Sequence, residues 1–424
     1  MPDIMPSNSF STKLKANLSE YVVTYIFLVL SLVFVVASGQ PLSLVFSQLM
    51  NRLSRNLFII LALIIPVIAG MGINFAITIG AMAAQVGLLL VINWGITGIG
   101  GLLLAAAITL PLASGFGFLI GTLLNKMKGQ ETIGSLILGY FANGAYQLLF
   151  LFIFGKLIPL NSNVTIVGAT GVRNTLILSG EAGLQNALDN LWRISFHEAL
   201  YGVTALVVIG AVLLMLFKQI KQRRAIRLIV MAVVFSTVGT IPQVKVHFAN
   251  LTVPVITFLV VAVLCLFNVL IMRTKLGQRF RAVGQSRVVA NASGINVNRV
   301  RIKAIIISTV LAGWGQIIFV QNLGTLQTYA AHEMVGLYAG AAILVGGASI
   351  NRATNTQAIV GCLLFHTLFV VAQDAGTALF GDPAIGEFFR VFLCYGVIAL
   401  ALVMYAWKGS DKRAAKVLTS PSAR

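Results

Sequence analysis

Long apolar runs separated by short polar intervals dominate the pattern of the chain. The runs that could cross a bilayer cover residues 21–38, 56–72, 75–91, 99–124, 133–154, 199–217, 228–241, 251–272, 304–320, 335–345, 358–372 and 388–407. The run 335–345 is too short to span, and the run 75–91 follows a glycine break, so one or both are predicted to be broken or re-entrant. We therefore expect an all-α polytopic membrane protein with about 10–12 transmembrane helices.

The composition supports this interpretation. The chain is 58% hydrophobic and only 10% charged, whereas a soluble globular protein carries about 25% charged residues. So many apolar residues cannot all be buried in one core, and long unbroken runs are not the short alternating segments of a β-barrel. The sequence predicts a single transmembrane domain over residues 21–407, flanked by polar tails at 1–20 and 408–424.

The positive charges indicate how the chain is oriented. With the N-tail inside and alternating crossings, most of the 30 Lys and Arg residues fall in inner intervals, as cytoplasmic loops require. Both termini and the basic interval 273–303 are therefore predicted to be cytoplasmic. Arg52 and Arg55 are exceptions, because they fall in an outer interval. The net charge of +19 is then explained by the Lys and Arg residues of the inner intervals, which face membrane lipid. Nucleic acid is not the expected partner, because the sequence has no basic surface interleaved with aromatic residues.

Catalytic and metal-binding motifs are absent from the sequence. There is no GxxxxGK[ST], HExxH or GxSxG, and the four histidines are scattered, so we expect no enzyme activity, metal or cofactor. No Asp, Glu, Lys or Arg stands at the centre of any apolar run, although ion-coupled transporters usually carry such a charge. This pattern favours an energy source on another subunit. A secondary transporter working without an ATPase is the alternative from another class.

Amide side chains are the main polar groups inside the apolar runs. An amide can hydrogen-bond a hydroxylated solute through both its donor and its acceptor. The alternative for each residue is a hydrogen bond between helices. The predicted translocation-path residues are Asn74, Gln85, Asn143, Gln147 and Gln316.

The interval 273–303 carries the most specific motif. Its residues include Thr274, Leu276-Gly277-Gln278-Arg279, Arg281-Ala282-Val283-Gly284-Gln285, Ala290 and Ala292-Ser293-Gly294-Ile295-Asn296. This run resembles the T-x-x-G-x-x-x-R-A-V-G … A-x-x-x-G-I-N signature of permease subunits in bacterial ABC importers. That family includes ribose, xylose, galactose, nucleoside and branched-chain amino-acid permeases.

Two other stretches are similar to the same family. Glu333 with residues 341–349, AAILVGGAS, looks like its E…IAAxxxGGxS segment. Residues 78–87, TIGAMAAQVG, fall where sugar permeases carry GGxDLSVG, with Ala83 at the acidic position. The resemblance thus covers most of the chain in order, and its departures fall where the substrate path is expected.

The resemblance implies an architecture and a set of partners. Two permease subunits, identical or different, would form a path through the bacterial cytoplasmic (inner) membrane. A cytoplasmic ATP-binding subunit would hydrolyse ATP, and an extracytoplasmic solute-binding protein would deliver the solute. This chain would be the non-catalytic permease subunit for a small polar solute. A simple sugar is the first expectation, and a nucleoside or an amino acid is the alternative.

Two polar intervals are expected to meet those partners. The interval 155–197 is predicted to be an extracytoplasmic loop that docks the binding protein through Arg173 and Arg193, or else a passive connector. The interval 273–303 is predicted to couple to the ATPase, with Arg281 and Gly284 as its most sensitive positions. The predicted coupling residues are Thr274, Gly277, Arg279, Arg281, Ala282, Gly284, Gln285, Ala290 and Gly294. The alternative is an ordinary basic loop held by anionic lipid headgroups.

Overall fold

Helices make up most of the regular structure of the chain. The computed structural model describes residues 21–127, 129–154, 157–160, 167–168, 171–172, 174–217, 221–349, 351–396, 399–400 and 403. The predicted tails at 1–20 and 408–424 lie outside these residues. So does Arg173, one of the two arginines predicted to contact a binding protein.

The elements are numbered along the chain. The helices are α1 Val22–Ala37, α2 Leu42–Ala62, α3 Ile64–Ile68, α4 Ile77–Asn93, α5 Gly98–Lys126, α6 Glu131–Ile153, α7 Phe196–Leu216, α8 Gln222–Thr240, α9 Pro242–His247, α10 Val255–Arg273, α11 Lys275–Gln285, α12 Arg287–Ala292, α13 Val297–Leu323, α14 Val335–Val345 and α15 Asn355–Phe380. A further helical segment covers residues 383–396. The short strands are β1 Val167–Gly168, β2 Gly171–Val172, β3 Thr175–Ile177, β4 Arg193–Ser195, β5 Thr252–Pro254 and β6 Thr325–Gln327.

The membrane-spanning character is confirmed by the helices themselves. Within the described residues, seven helical segments are long and apolar enough to cross a membrane: α2 with α3, α5, α6, α7, α10, α13 and α15. Helices α1, α4 and α14 are apolar but shorter. The chain is therefore an all-α polytopic membrane protein.

The second crossing differs from the sequence prediction. The apolar run was predicted to begin at residue 56, but α2 begins at Leu42 and continues through α3 to Ile68. Arg52 and Arg55 consequently lie inside this segment and not in an outer loop. The observation that no Asp, Glu, Lys or Arg stands at the centre of an apolar run does not extend to this helix, because Arg52 and Arg55 lie near its middle. Only the second half of this helix is a uniform apolar run. Its first half is amphipathic, and one apolar face is enough to pack that half against the rest of the protein.

Two crossings are discontinuous, as the sequence predicted. The buried stretch 69–76 is not a continuous helix, and α4 starts only at Ile77. Likewise, residues 328–334 form turns before α14 starts at Val335. The starts of the two helices meet, since a side chain at Gly336 would come within 2.7 Å of Thr78 Oγ1. Non-helical backbone at this depth is tolerated where protein surrounds it.

Helix α13 lies at the centre of the fold, packed against α2, α4 and α5. Small residues allow this packing, as is common between membrane helices. A Cβ at Gly80 would overlap the Thr309 carbonyl, and one at Gly313 would lie 2.9 Å from the Gly80 carbonyl oxygen. Helices α7 and α8 pack mainly on each other, and the apolar side chains of α7 are largely exposed.

The end of the fold opposite to residues 273–303 is held by short antiparallel strand pairs. Strand β3 pairs with β6, and β4 pairs with β5. Asp189 is fully buried there and accepts hydrogen bonds from Thr257, Gln321 and Asn322. Residues 180–191 contain two single 3₁₀ turns, Gly180–Ala182 and Asp189–Leu191. Helix α10 separates this end from residues 273–303 by about 28 Å, so the two polar regions lie at opposite ends.

Candidate translocation path and cytoplasmic coupling surface

Several polar residues of the interval 273–303 serve to start helices. Thr274 Oγ1 accepts a hydrogen bond from Gly277 N at 3.3 Å at the start of α11. Ser286 does the same for Val289 in α12 at 3.3 Å. Asn296 then accepts from Arg299 N at 3.0 Å at the start of α13. Each is an N-cap, which satisfies a backbone donor that the first helical turn leaves free.

The small residues of this region pack inwards. Gly277 is buried against the backbone of Ile271 and Met272, and Ala290 is buried as well. Ala282 is partly buried. Gly294 is exposed and has φ +79°, a left-handed conformation that suits glycine where α12 turns into α13.

Gly284 makes its close contact within this chain. A Cβ built at Gly70 would lie 2.9 Å from the Gly284 Cα. A Cβ built at Gly284 would overlap the Ile68 carbonyl. The sequence reasoning attributed the need for a small residue here to the approach of a partner. The structure instead shows that α11 rests on the end of α3 at this point. A role of Gly284 in coupling stays a prediction, but its first constraint is intramolecular.

The outward face of α11 and α12 is basic and apolar. Gln278, Arg281 and Gln285 recur at helical spacing and are exposed, and Arg279 is exposed beside them. On α12, Val288 is 79% exposed and its neighbour Val289 is also largely exposed. We call the surface formed by residues 278, 279, 281, 285, 288 and 289 the basic-apolar face. Exposed valines flanked by arginines are suited to contact with another protein.

A buried ion network fixes this region to the membrane helices. Glu131, at the start of α6, accepts from Arg301 at 2.5 Å and from Arg287 at 2.7 Å. Arg287 also donates to the Gly70 carbonyl at 3.1 Å. The Arg301 side chain is only 2% exposed. The expectation that every basic group of 273–303 lies in water is therefore wrong for Arg301, because residues 297–303 are the first turns of α13.

A second polar cluster lies in the interior, around the turn that precedes α14. His332 Nδ1 lies 2.9 Å from Gln85 Oε1, and its Nε2 lies 2.7 Å from Asn143 Oδ1. The Asn143 amide nitrogen donates to Glu333 at 3.1 Å. His332 is fully buried. The structure thus joins α4, α6 and the residues before α14 through one histidine.

Two more predicted path residues bind the same turn. Gln147 donates to the Tyr329 carbonyl at 3.3 Å, and Gln316 donates to the Ala331 carbonyl at 3.0 Å. Four of the five predicted path residues therefore meet at residues 329–333, a segment we call the inner turn. Asn74 does not join them. Its Oδ1 accepts from Ala76 N at 3.2 Å, just before α4 begins.

Two cavities flank the inner turn. The smaller cavity, of about 130 Å³, is lined by Phe75, Thr78, Tyr140, Asn143 and Glu333, among others. The larger cavity, of about 290 Å³, has Glu333 in its wall too. Its other polar lining residues are Asn56, Gln327, Tyr338 and His366. Glu333 therefore faces both spaces, in an arrangement that can present hydrogen-bonding groups to a small polar molecule.

The comparisons with known proteins agree with this geometry. A family model described as "Branched-chain amino acid transport system / permease component" matches residues 45–402. The chain belongs to this permease family. Together with the spanning helices, the match makes it a multi-pass protein of the bacterial cytoplasmic membrane.

Individual relatives cover smaller parts of the chain. The autoinducer 2 import system permease protein LsrC of Klebsiella pneumoniae is 32% identical over 146 residues, which are 34% of this chain and 41% of the relative. The ribose import permease protein RbsC of Bacillus subtilis is 29% identical over 160 residues, which are 37% of this chain and 46% of the relative. The chain thus matches less than half the length of these relatives. No solved structure matches the chain.

Two interior residues of this permease-family protein were not predicted as path residues from its sequence. Glu333 was noted only as part of a family-like segment, but in the structure it lines both cavities. His332 was not singled out, because it stands in a short polar interval between apolar runs. The usable signal was the shortness of α14: an 11-residue helix cannot span a bilayer, so the residues before it must complete the crossing.

Proposed function

We propose that the chain is the transmembrane permease subunit of a binding-protein-dependent, ATP-driven importer for a small polar solute, with a simple sugar as the solute class. The observation that carries the proposal is the inner turn. There, two discontinuous crossings meet between two cavities, and amide side chains from α4, α6 and α13 converge on the same residues. Transporter sites are typically built where broken helices meet near the middle of the membrane.

The chemistry of the inner turn suits hydroxyl groups. Gln85 and Gln316 each have one buried amide atom without a hydrogen-bond partner, the Gln85 nitrogen and the Gln316 oxygen. A sugar hydroxyl can both donate and accept, so it can satisfy either atom. The names of the two relatives, which import autoinducer 2 and ribose, support a sugar-type solute. A nucleoside or an amino acid is the alternative within the same family.

We propose that the basic-apolar face couples ATP hydrolysis to transport. Arg279 and Arg281 would pair with acidic groups of a cytoplasmic ATP-binding subunit, while Val288 and Val289 would pack against apolar ones. A second permease subunit, identical or related, would complete the path. An extracytoplasmic binding protein would dock at the opposite end, near strand β4, where Arg193 is exposed.

The test is reconstitution. The tagged chain is purified from its own bacterium with its associated subunits, and the complex is placed in liposomes with ATP on the ATPase side. Uptake of labelled ribose, autoinducer 2, uridine and leucine is then measured with and without the binding protein. We expect ATP-dependent uptake that requires both partners, with a sugar preferred. Uptake by the chain alone, driven by a proton or sodium gradient, would refute the proposal.

A further inference from the structure

Two arginines of α2 lie next to the residues with which this helix lines the larger cavity. Asn56, Ile59 and Ile60 of α2 line it, and Arg52 and Arg55 precede them by one helical turn. The spacing 52, 55, 56, 59, 60 places all five residues on one face of the helix. Because α2 runs inwards from the outer end, the two arginines stand at the outer side of the cavity.

The guanidinium groups lie over aromatic rings of the same region. Arg55 is 5.8 Å from the centre of the Phe319 ring, which lines the cavity. Arg52 is 4.2 Å from the centre of the Phe369 ring. Arg390, from the helical segment 383–396, lies 4.7 Å from that same ring. Phe369 follows the cavity-lining His366 by one turn of α15, so three cations lie close to residues of this part of the cavity wall.

The positive charge here exceeds the negative charge. Arg390 is paired with Glu387. In the part of the chain that the structure describes, no carboxylate pairs with Arg52 or Arg55. Arg55 Nε is buried without a hydrogen-bond partner, and so is Nδ1 of His366, whose side chain is 2% exposed. Arg55 Nε and His366 Nδ1 thus lack the partner that buried polar groups normally have.

Unpaired arginines inside a membrane protein are costly and mark function more often than stability. The aromatic rings attract the cations, but they do not neutralise them. Arg52 and Arg55 also repel each other, since they are one turn apart on the same helix. An anion in the cavity would remove both costs at once, and guanidinium groups bind the oxygens of carboxylates and phosphates well.

We propose that the larger cavity binds an oxyanion, so that the transported solute is a small organic acid such as a sugar acid or a sugar phosphate. The inference rests on the proposed function, and it changes the solute class from a neutral to an anionic sugar. The acidic group lies at the outer side, near Arg52, Arg55 and His366. The hydroxyl groups face Gln327 and Glu333, because the carboxylate of Glu333 repels the anionic end.

The oxyanion could also come from a lipid headgroup, which offers the same phosphate oxygens. The guanidinium groups lie over the rings of Phe319 and Phe369, which belong to α13 and α15, two helices that pack against α2. A soluble anion is therefore the occupant that the geometry favours. Nanodiscs with and without anionic lipid separate the two sources.

The experiment measures thermal unfolding of the purified chain in phosphatidylcholine nanodiscs at constant ionic strength. Ribose, D-gluconate and ribose 5-phosphate are titrated in turn. The variants are Arg52→Gln and Arg55→Gln, and Lys245→Gln is the control that removes an exposed outer charge. We expect both anions, but not ribose, to raise the unfolding temperature of the wild type and of the control.

Each arginine variant should weaken the anion response at least about tenfold in concentration, the loss expected for one charge-assisted contact. In the absence of ligand, each variant should unfold at a temperature equal to or higher than the wild type, because an unpaired charge has been removed. A structural role for these arginines would give the opposite shift.

Several outcomes would overturn the inference. These are an equal response to ribose, no response to either anion, an unchanged response in both arginine variants, or a response abolished by phosphatidylglycerol alone. Each of these is distinct from failure of the proposed function. A complex that imports neutral ribose with ATP would keep that function and reject the anionic solute.

Discussion

Glu131→Gln tests the ion network that fixes residues 273–303 to the membrane helices. The substitution keeps the size of the side chain and removes its charge. It leaves Arg301, whose side chain is 2% exposed, without a counter-charge. It also removes the partner of Arg287, which is 35% exposed. We expect a clear loss of stability, because a buried cation without a partner is expensive.

The magnitude follows from the two exposures. Breaking a buried pair by removing one partner costs roughly 3–5 kcal/mol, and this applies to the contact with Arg301. The contact with the half-exposed Arg287 contributes at most about 1 kcal/mol, since solvent screens it. The glutamine oxygen still accepts one hydrogen bond, so the lower part of the range applies. We expect a loss of about 3 kcal/mol in the free energy of unfolding.

The assay is reversible unfolding in mixed micelles with increasing sodium dodecyl sulfate, compared with the wild type. Glu181→Gln is the control, since Glu181 is exposed and its loss should change stability by less than about 0.5 kcal/mol. A double variant, Glu131→Gln with Arg301→Met, should recover to within about 1 kcal/mol of the wild type, because the stranded charge is gone. A loss below about 1 kcal/mol in Glu131→Gln, or no recovery in the double variant, would refute the reasoning.

Three further predictions concern the surfaces. Gly284→Ala should lower stability by about 1–3 kcal/mol even in the isolated chain, since its Cβ would overlap the Ile68 carbonyl; unchanged unfolding would contradict the intramolecular contact. Arg281→Glu should leave stability unchanged but weaken co-purification of the ATP-binding subunit about tenfold or more, as a like charge at an interface does; normal co-purification would leave the basic-apolar face without a partner. Reversing Arg173 and Arg193 together should reduce uptake without reducing membrane abundance, and unchanged uptake would make the outer interval a passive connector.

The helices were predictable wherever hydrophobicity alone decides the outcome. The runs at 99–124 and 251–272 correspond closely to α5 and α10, because a uniformly apolar segment has no alternative in a bilayer. The start of α2 was not predicted, because hydrophobicity alone does not decide the structure of this part of the chain. Its first half mixes polar and apolar residues, and only tertiary packing places the polar ones, including Arg52 and Arg55, in a protein interior.

The candidate site was predictable in type but not in arrangement. Amides inside apolar runs indicated a polar path, and four of the five converge on the inner turn. Their meeting point is Glu333 and His332, which lie outside the apolar runs, and no periodicity connects positions 85, 143 and 332. The motif at 273–303 indicated a coupling surface. It did not show that Gly284 and Arg301 face inwards, because the spacing of a motif does not reveal which side of a helix is covered.

The stretch between Gly70 and Phe75 connects the two functional regions. At one end, Gly70 touches Gly284 and accepts a hydrogen bond from Arg287, and Arg301 Nε lies 2.6 Å from Met71 Sδ. At the other end, Phe75 lines the smaller cavity. These few residues cover at most about 20 Å when extended, and they are buried along almost the whole length. Because two glycine backbones in contact leave no room for side chains to adjust, we expect a displacement of α11 to move this stretch and with it the start of α4.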